Sequence, residues 1–232
     1  MTDFAVAVSW PILLAGGIML VAAVLVWLLC GHGIDKLKHS DEWSSKGSAG
    51  ERAVWLTLTK KYHIPEDRIF RNVYVPIGRN RMTEIDMVVV SRKGLLVFEC
   101  KNYAGRIYGD GQRSKWVQYV GSKKSYFLSP VMQNRMHVKH LYEYFKDIPD
   151  LPIIPFTVTT QMGNWKLKNV DLSDHVLGWS GQSFWDIYRA LPDAQCMSLH
   201  YHQICLKLKQ LERPVQSIRE EHIKRVKHIN RS

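Results

Sequence analysis

The sequence lacks charge at its beginning and cysteine pairs throughout. No charged side chain lies between Asp3 and Asp35. The four cysteines, at 30, 100, 196 and 205, form no CxxC pair and fit neither a zinc site nor a disulfide framework. They read as reduced thiols used as small apolar residues. No Walker or dinucleotide fingerprint follows the glycines at 105, 109 and 111, which read as turns rather than a phosphate cradle. No Ser/His/Asp constellation, internal repeat or low-complexity block is present. Acid is also in deficit, with 21 Asp and Glu against 32 Lys and Arg, a formal charge of +11. An excess of that size implies an anionic partner, either nucleic acid or the anionic face of a membrane. With 46% hydrophobic residues in 232, a disordered chain is excluded and a domain core can form.

The uncharged beginning has its own meaning. Residues 4–30 run through Ala, Val, Leu, Ile, Trp and Gly, about 27 residues where roughly 20 suffice to cross a hydrocarbon core. A cleaved signal peptide calls for Lys or Arg ahead of a shorter apolar core and a small-residue cleavage site, whereas Met1, Thr2 and Asp3 precede this one. One transmembrane helix over 4–30 is the expectation. Lys36 and Lys38 follow it, so the positive-inside rule puts the amino terminus outside and the carboxy-terminal domain in the cytoplasm. Residues 31–46 read as a juxtamembrane linker.

Beyond the linker the pattern is mixed. Glu51 to Tyr62 has helical apolar spacing, Ile69 to Pro76 reads as a strand, and Ile85–Val90 and Leu95–Cys100 are apolar strands around a turn at 91–94. Short strands follow around Trp116. A helix is expected over Pro130–Phe145, with Met132, Met136, Val138, Leu141 and Phe145 as its buried side. Pro155–Thr160 and Val176–Leu177 read as strands, and residues 184–190 and 198–213 as helices. The fold class is α/β, a mixed sheet flanked by helices and preceded by one transmembrane helix. Residues 47–160 form the main domain, 161–213 an α/β completion of it, and 214–232 a basic tail suited to phosphates or an anionic membrane.

The hairpin carries the chemistry. Glu99 and Lys101 point to one side of their strand and Cys100 to the other. With the turn on Arg92-Lys93, Ser91 faces Gly94, and counting outward sets Asp86 opposite Glu99; a bulge at Gly94 makes them diagonal neighbours instead. Opposed carboxylates repel and call for compensation, by a divalent cation and by Lys101 beside them. Asp86, Glu99 and the backbone carbonyl of Cys100 are the candidate ligands of Mg²⁺ (or Mn²⁺), arranged for metal-assisted phosphodiester hydrolysis. Lys101 is placed to orient the attacking water or to stabilise charge. The plainer reading of Glu-x-Lys is a solvated strand end.

Gly50-Glu51 opening a helix, Thr83-Glu84-Ile85-Asp86, the run Gly94 to Tyr103 with Gly105, and Ser129-Pro130-Val131-Met132-Gln133 together resemble the NERD (nuclease-related) domain over roughly residues 46–160. The resemblance implies a PD-(D/E)XK nuclease-like, restriction-endonuclease-like core with Asp86, Glu99 and Lys101 as its site. It also implies Glu51 as an extra acid from the first helix and Gln133 as the polar helix residue that joins the site. A hydrophobic residue is usual where Cys100 stands. Glu51 equally suits a helix dipole and Gln133 a first-turn cap.

Tyr103 and Trp116 lie near enough in sequence to stack on a base. His200 and His202, spaced like alternating strand residues, join His222 and His228 as a loose metal suggestion against the plainer reading of solvated histidines. The expected activity is metal-dependent hydrolysis of DNA or RNA at a membrane, with a homodimer as the assembly suited to cutting two strands. The alternatives are a non-catalytic module that binds nucleic acid or protein at the membrane, and a scaffold whose basic face sits on lipid.

Overall fold

The computed structural model describes residues 48–212, apart from 79–80, 161–163 and 180–181. The expected transmembrane helix at 4–30, the linker at 31–46, the tail at 214–232, and His222 and His228 lie outside the described residues. Among the described residues, no helix is long and apolar enough to cross a membrane.

Two sheets and four α-helices make the described fold. The first sheet has the order β1 (Ile69–Pro76), β2 (Met82–Ser91), β3 (Gly94–Lys101), β7 (Ile153–Thr159), β9 (Val176–Gly178). Its first three strands are antiparallel, and β3, β7 and β9 run parallel. Helices α2 (Pro130–Tyr144) and α4 (Gln195–Leu211) cover one face, where Leu141, Ile204 and Leu208 meet Val88, Val90, Leu95 and Val97. Helix α1 (Ser48–Leu56), the π-helical turn Thr57–Lys61 that continues it, and α3 (Gln182–Ala190) cover the other, where Val54, Leu58 and Phe184 meet Val89, Leu96 and Phe98. With helices on both faces, β3 has no solvent side, which is why Leu95–Phe98 is an unbroken apolar run rather than an alternating one.

The second sheet has the order β6 (Lys123–Leu128), β5 (Lys115–Val120), β4 (Arg106–Asp110), β8 (Asn164–Lys168). It prolongs the centre of the first: β3 leads to β4 and β7 to β8, and the parallel pairing of β3 with β7 is repeated by β4 with β8. Neither β6 nor β8 stands out in the sequence, because their lysines and exposed aromatics mask the alternation.

Two expectations are corrected. The buried stripe of α2 is Pro130, Asn134, His137 and Leu141, continued by Phe145, while Met132 and Met136 are exposed. That stripe has the proper i, i+3, i+4 spacing but carries polar residues in its middle turns, so apolarity finds Leu141 and Phe145, with Val138 packed beside them, and misplaces the first two turns. His200 and His202 sit on α4, where residues two apart do not face each other, and His200 bonds Gln203 on its own helix; a strand-like metal pair is overturned.

Candidate active site

The β2–β3 turn sets the register. Ser91 pairs with Gly94, the Ser91 hydroxyl donates to the Gly94 carbonyl at 3.0 Å, and Gly94 takes φ 124°, which a side chain resists. A Cβ there would also lie 2.3 Å from the Pro152 carbonyl oxygen. No bulge forms at Gly94, so the pairs run outward as counted, through Val89↔Leu96 to Met87↔Phe98.

At the next step the ladder breaks. Continued by two residues, the register sets the Cys100 N–H against the Ile85 carbonyl. Instead Asp86 Oδ2 accepts that N–H at 2.7 Å. Asp86 and Glu99 therefore share a site without pairing across the strands. The packing of β2 slips at the same point: Ile85, Val88 and Val90 belong to one apolar cluster, Met87 and Val89 to the other. Across on β1, Asn72 takes φ 49° and is skipped in the pairing between Arg71↔Met87 and Val73↔Ile85. Asn accepts a left-handed conformation more readily than most residues, and here it lets both strands slip together.

Glu99 is 2% exposed and held at both oxygens. Lys101 Nζ lies 2.6 Å from Oε1, and His137 Nε2 lies 3.1 Å from Oε2. The other ring nitrogen of His137 is 3.2 Å from the Thr83 hydroxyl, linking α2, β2 and β3 through one imidazole. Asn134, one turn earlier, donates to the Val97 carbonyl at 3.1 Å. Burial by itself raises the Glu99 carboxyl, but the Lys101 charge and the His137 hydrogen bond outweigh it and bring the group down to about 2. Lys101 is held above its ordinary value because Glu99 and Asp86 outweigh its own burial. It stays protonated and can only donate.

Asp86 is the opposite case. Burial, then the charge of Glu99, push its carboxyl well above the ordinary range, against the attraction of Lys101. Glu51 is raised as well, by burial and by Glu84, with Lys101 and Arg71 pulling the other way. The Glu51 charge is felt at Asp86, so the first turn of α1 closes over the strand ends. Gly50 makes that approach possible: a Cβ there would sit 2.9 Å from Thr160 Oγ1 and 3.2 Å from Asn102 Cβ.

Glu51, Asp86, Glu99 and Lys101 are thus brought together. Gln133 is half-buried on α2, its backbone N–H bonded to the Ser129 carbonyl; the helix residue bonded to the acidic cluster is His137. His137 and Asn134 are missed by sequence reasoning, although the stripe from Pro130 to Leu141 carries their signal once polar residues are admitted to it. Cys100 buries its thiol, which burial and Asp86 push upward. Trp116 is 1% exposed, packed on Phe127 and Trp165, with its indole N–H bonded to the Asp110 carbonyl at 2.9 Å. It is closed to a base. Tyr103 packs on Phe127 with ring centroids 4.4 Å apart.

The donor set is made of hard carboxylate oxygens, the chemistry of Mg²⁺ or Mn²⁺. Burial and like charge raise both Asp86 and Glu51 despite the pull of Lys101, and a divalent cation is a partner that would offset that cost. Two further polar atoms on the buried side of α2 and β7, Asn134 Oδ1 and Thr157 Oγ1, lack a partner, and Thr157 pairs with Glu99 in the strand register. Among the described residues no group of three or more His, Cys, Asp and Glu side chains forms a ready metal cage.

Comparison with known proteins puts a family beside this geometry. Residues 46–160 match the nuclease-related domain, NERD. A Bacillus anthracis protein described as uncharacterized is 28% identical over 197 residues, covering 81% of this chain and 85% of that protein. No solved structure matches.

Proposed function

The chain carries a nuclease-related domain over residues 46–160, and from that premise we propose that it hydrolyses phosphodiester bonds in DNA or RNA with Mg²⁺ or Mn²⁺, through a PD-(D/E)XK, restriction-endonuclease-like site. The observation that carries the reading is the contrast between two neighbouring carboxyls: Glu99, bonded to Lys101 and His137, is held low, while Asp86, bonded among the described residues to the Cys100 N–H alone, is raised. Opposite shifts in adjacent acids mark a functional site more often than a structural one.

Asp86, Glu99 and the Cys100 carbonyl are the residues to hold the cation, with Glu51 closing the site from α1. Each Glu99 oxygen keeps a further lone pair beyond its present hydrogen bond. The bound ion supplies polarisation of the phosphoryl oxygen and a lowered pKa for attacking water. Lys101, protonated, donates to the charge that grows on the phosphoryl group. His137 fixes the Glu99 rotamer and acts as a positioning residue. Gln133 is proposed to join the site from α2 when substrate is present.

The uncharged run at 4–30 and the lysines after it support a single-pass anchor, with the amino terminus outside and the nuclease-related domain in the cytoplasm. A homodimer suits two-strand cutting.

The test uses the full chain in mild detergent, with and without Asp86→Asn, on single- and double-stranded DNA and on RNA, in Mg²⁺, Mn²⁺ or EDTA. Metal-dependent products that vanish in the variant support hydrolysis and identify the substrate. Absence of products in every condition replaces it with a non-catalytic binding module.

A further inference from the structure

We infer that the outer face of the second sheet is a binding platform for single-stranded nucleic acid. The inner face is closed by Ile107, Trp116 and Val131. Among the described residues no helix covers the outer face, which reads in cross-strand rows. One row runs Tyr126, Val117, Tyr108, Lys166, and the next runs Lys124, Tyr119, Arg106. Tyr126 is 62% exposed and Tyr108 38%.

Aromatic rings on a sheet surface are a poor choice for solubility and a good one for stacking unpaired bases. The cations stand among them. Lys124 lies 5.0 Å from the Tyr126 centroid, and Lys166 and Arg106 each lie 5.9 Å from the rings of Tyr108 and Tyr119. Lys115 and Lys168 add to the basic edge. Asp110, opposite Lys168 at the end of β4, is an acid beside these rows, and its carboxylate is engaged by the Gln112 N–H, Asn169, Lys168 and Arg113. A cleft of about 780 Å³ opens between Tyr108, Tyr126, Lys115, Lys166 and Lys168.

Cations alone fit a lipid surface equally well. Three rings interleaved with them across four strands favour bases with phosphates over headgroups, and unpaired bases over a duplex whose rings are already stacked. In the chain, β4 and β8 of the platform follow the strands that end at Lys101 and Thr159. The proposal takes its ligand class from the hydrolytic reading, and its test does not depend on cutting.

The full chain in EDTA is titrated against a fluorescent single-stranded oligonucleotide, its duplex, and vesicles of anionic lipid. Tyr126→Ala is expected to weaken single-strand binding roughly tenfold. Lys124→Ala combined with Lys166→Ala is expected to lower the salt slope by about 0.7 for each phosphate no longer neutralised. Lys209→Ala, on α4, serves as the control for loss of charge alone. Circular dichroism confirms that each variant folds. Single-strand affinity unchanged by the face variants, weakened equally by Lys209→Ala, or no greater than duplex affinity overturns the platform. So does a loss confined to the vesicles. Weakened binding without cutting in Mg²⁺ leaves the platform standing and removes hydrolysis; cutting with binding unaffected by the face variants does the reverse.

Discussion

The two ends of the β2–β3 hairpin are built on opposite principles. From Met87 to Phe98 the ladder is regular, its side chains are almost wholly apolar and buried, and the turn is locked by Ser91 and Gly94. From Asp86 and Glu99 outward the ladder breaks, a side chain replaces a backbone acceptor, and charged groups crowd together in partial burial. The first end is what stability selects. The second is costly on its own account, since burial and like charge both raise Asp86. Such a cost is tolerated where a rigid neighbour carries it, and it marks the place where a ligand completes the structure.

The two ends should respond differently to substitution. At the apolar end, Phe98→Ala removes a fully buried ring stacked 5.3 Å from Phe156 and should cost about 3–5 kcal/mol in urea unfolding. At the charged end, Asp86→Asn keeps an acceptor for the Cys100 N–H and removes the charge. It should lower kcat about 100-fold or more while unfolding at pH 8 without metal shows unchanged or higher stability. Loss of stability comparable to Phe98→Ala would show that Asp86 is structural. His137→Ala leaves Glu99 with one partner fewer and should cost about 1–3 kcal/mol. A structural role alone predicts that kcat is untouched once folding is allowed for; positioning predicts a shifted acid limb in the pH–rate profile, partly restored by His137→Gln.

The smallest expected effect is on pH dependence without metal. Glu99 is lowered to about 2 from 4.5, so its stabilising contribution is full above 4.5 and disappears as pH falls toward 2. Asp86 is raised above 3.8, so its contribution is full below 3.8 and disappears as pH climbs through the raised value. Their sum peaks between the two ordinary values, 3.8 and 4.5. Asp86→Asn should remove only the loss on the alkaline side, as read from Tm against pH, and a Tm profile identical in the two proteins contradicts the assignment.

How much of this was legible in the sequence follows from the same contrast. The hairpin was readable because a strand covered on both faces leaves a continuous apolar run, and a two-residue turn fixes register. Glu99 and Lys101 fall from that register directly. The slip at Asp86 is not readable, because it depends on Asn72 of a different strand taking a positive φ. His137 escaped because a buried histidine breaks the apolar pattern by which a helix face is recognised. The second sheet was half-seen for a related reason: Tyr and Lys on its outer face look like an ordinary solvated surface until β4, β5, β6 and β8 align them. Trp116 illustrates the converse, since an indole near the site in sequence fills the core beneath that sheet.

The central claim is that Asp86, raised by burial and by Glu99, belongs with its neighbours to a site that a divalent cation completes. Titrating Mn²⁺ into the full chain in detergent at neutral pH, and following the free-ion paramagnetic signal, tests it without substrate. Saturable binding that Asp86→Asn removes and Lys209→Ala leaves intact is the predicted result. Binding absent from the unaltered chain, or unchanged by Asp86→Asn, would contradict it.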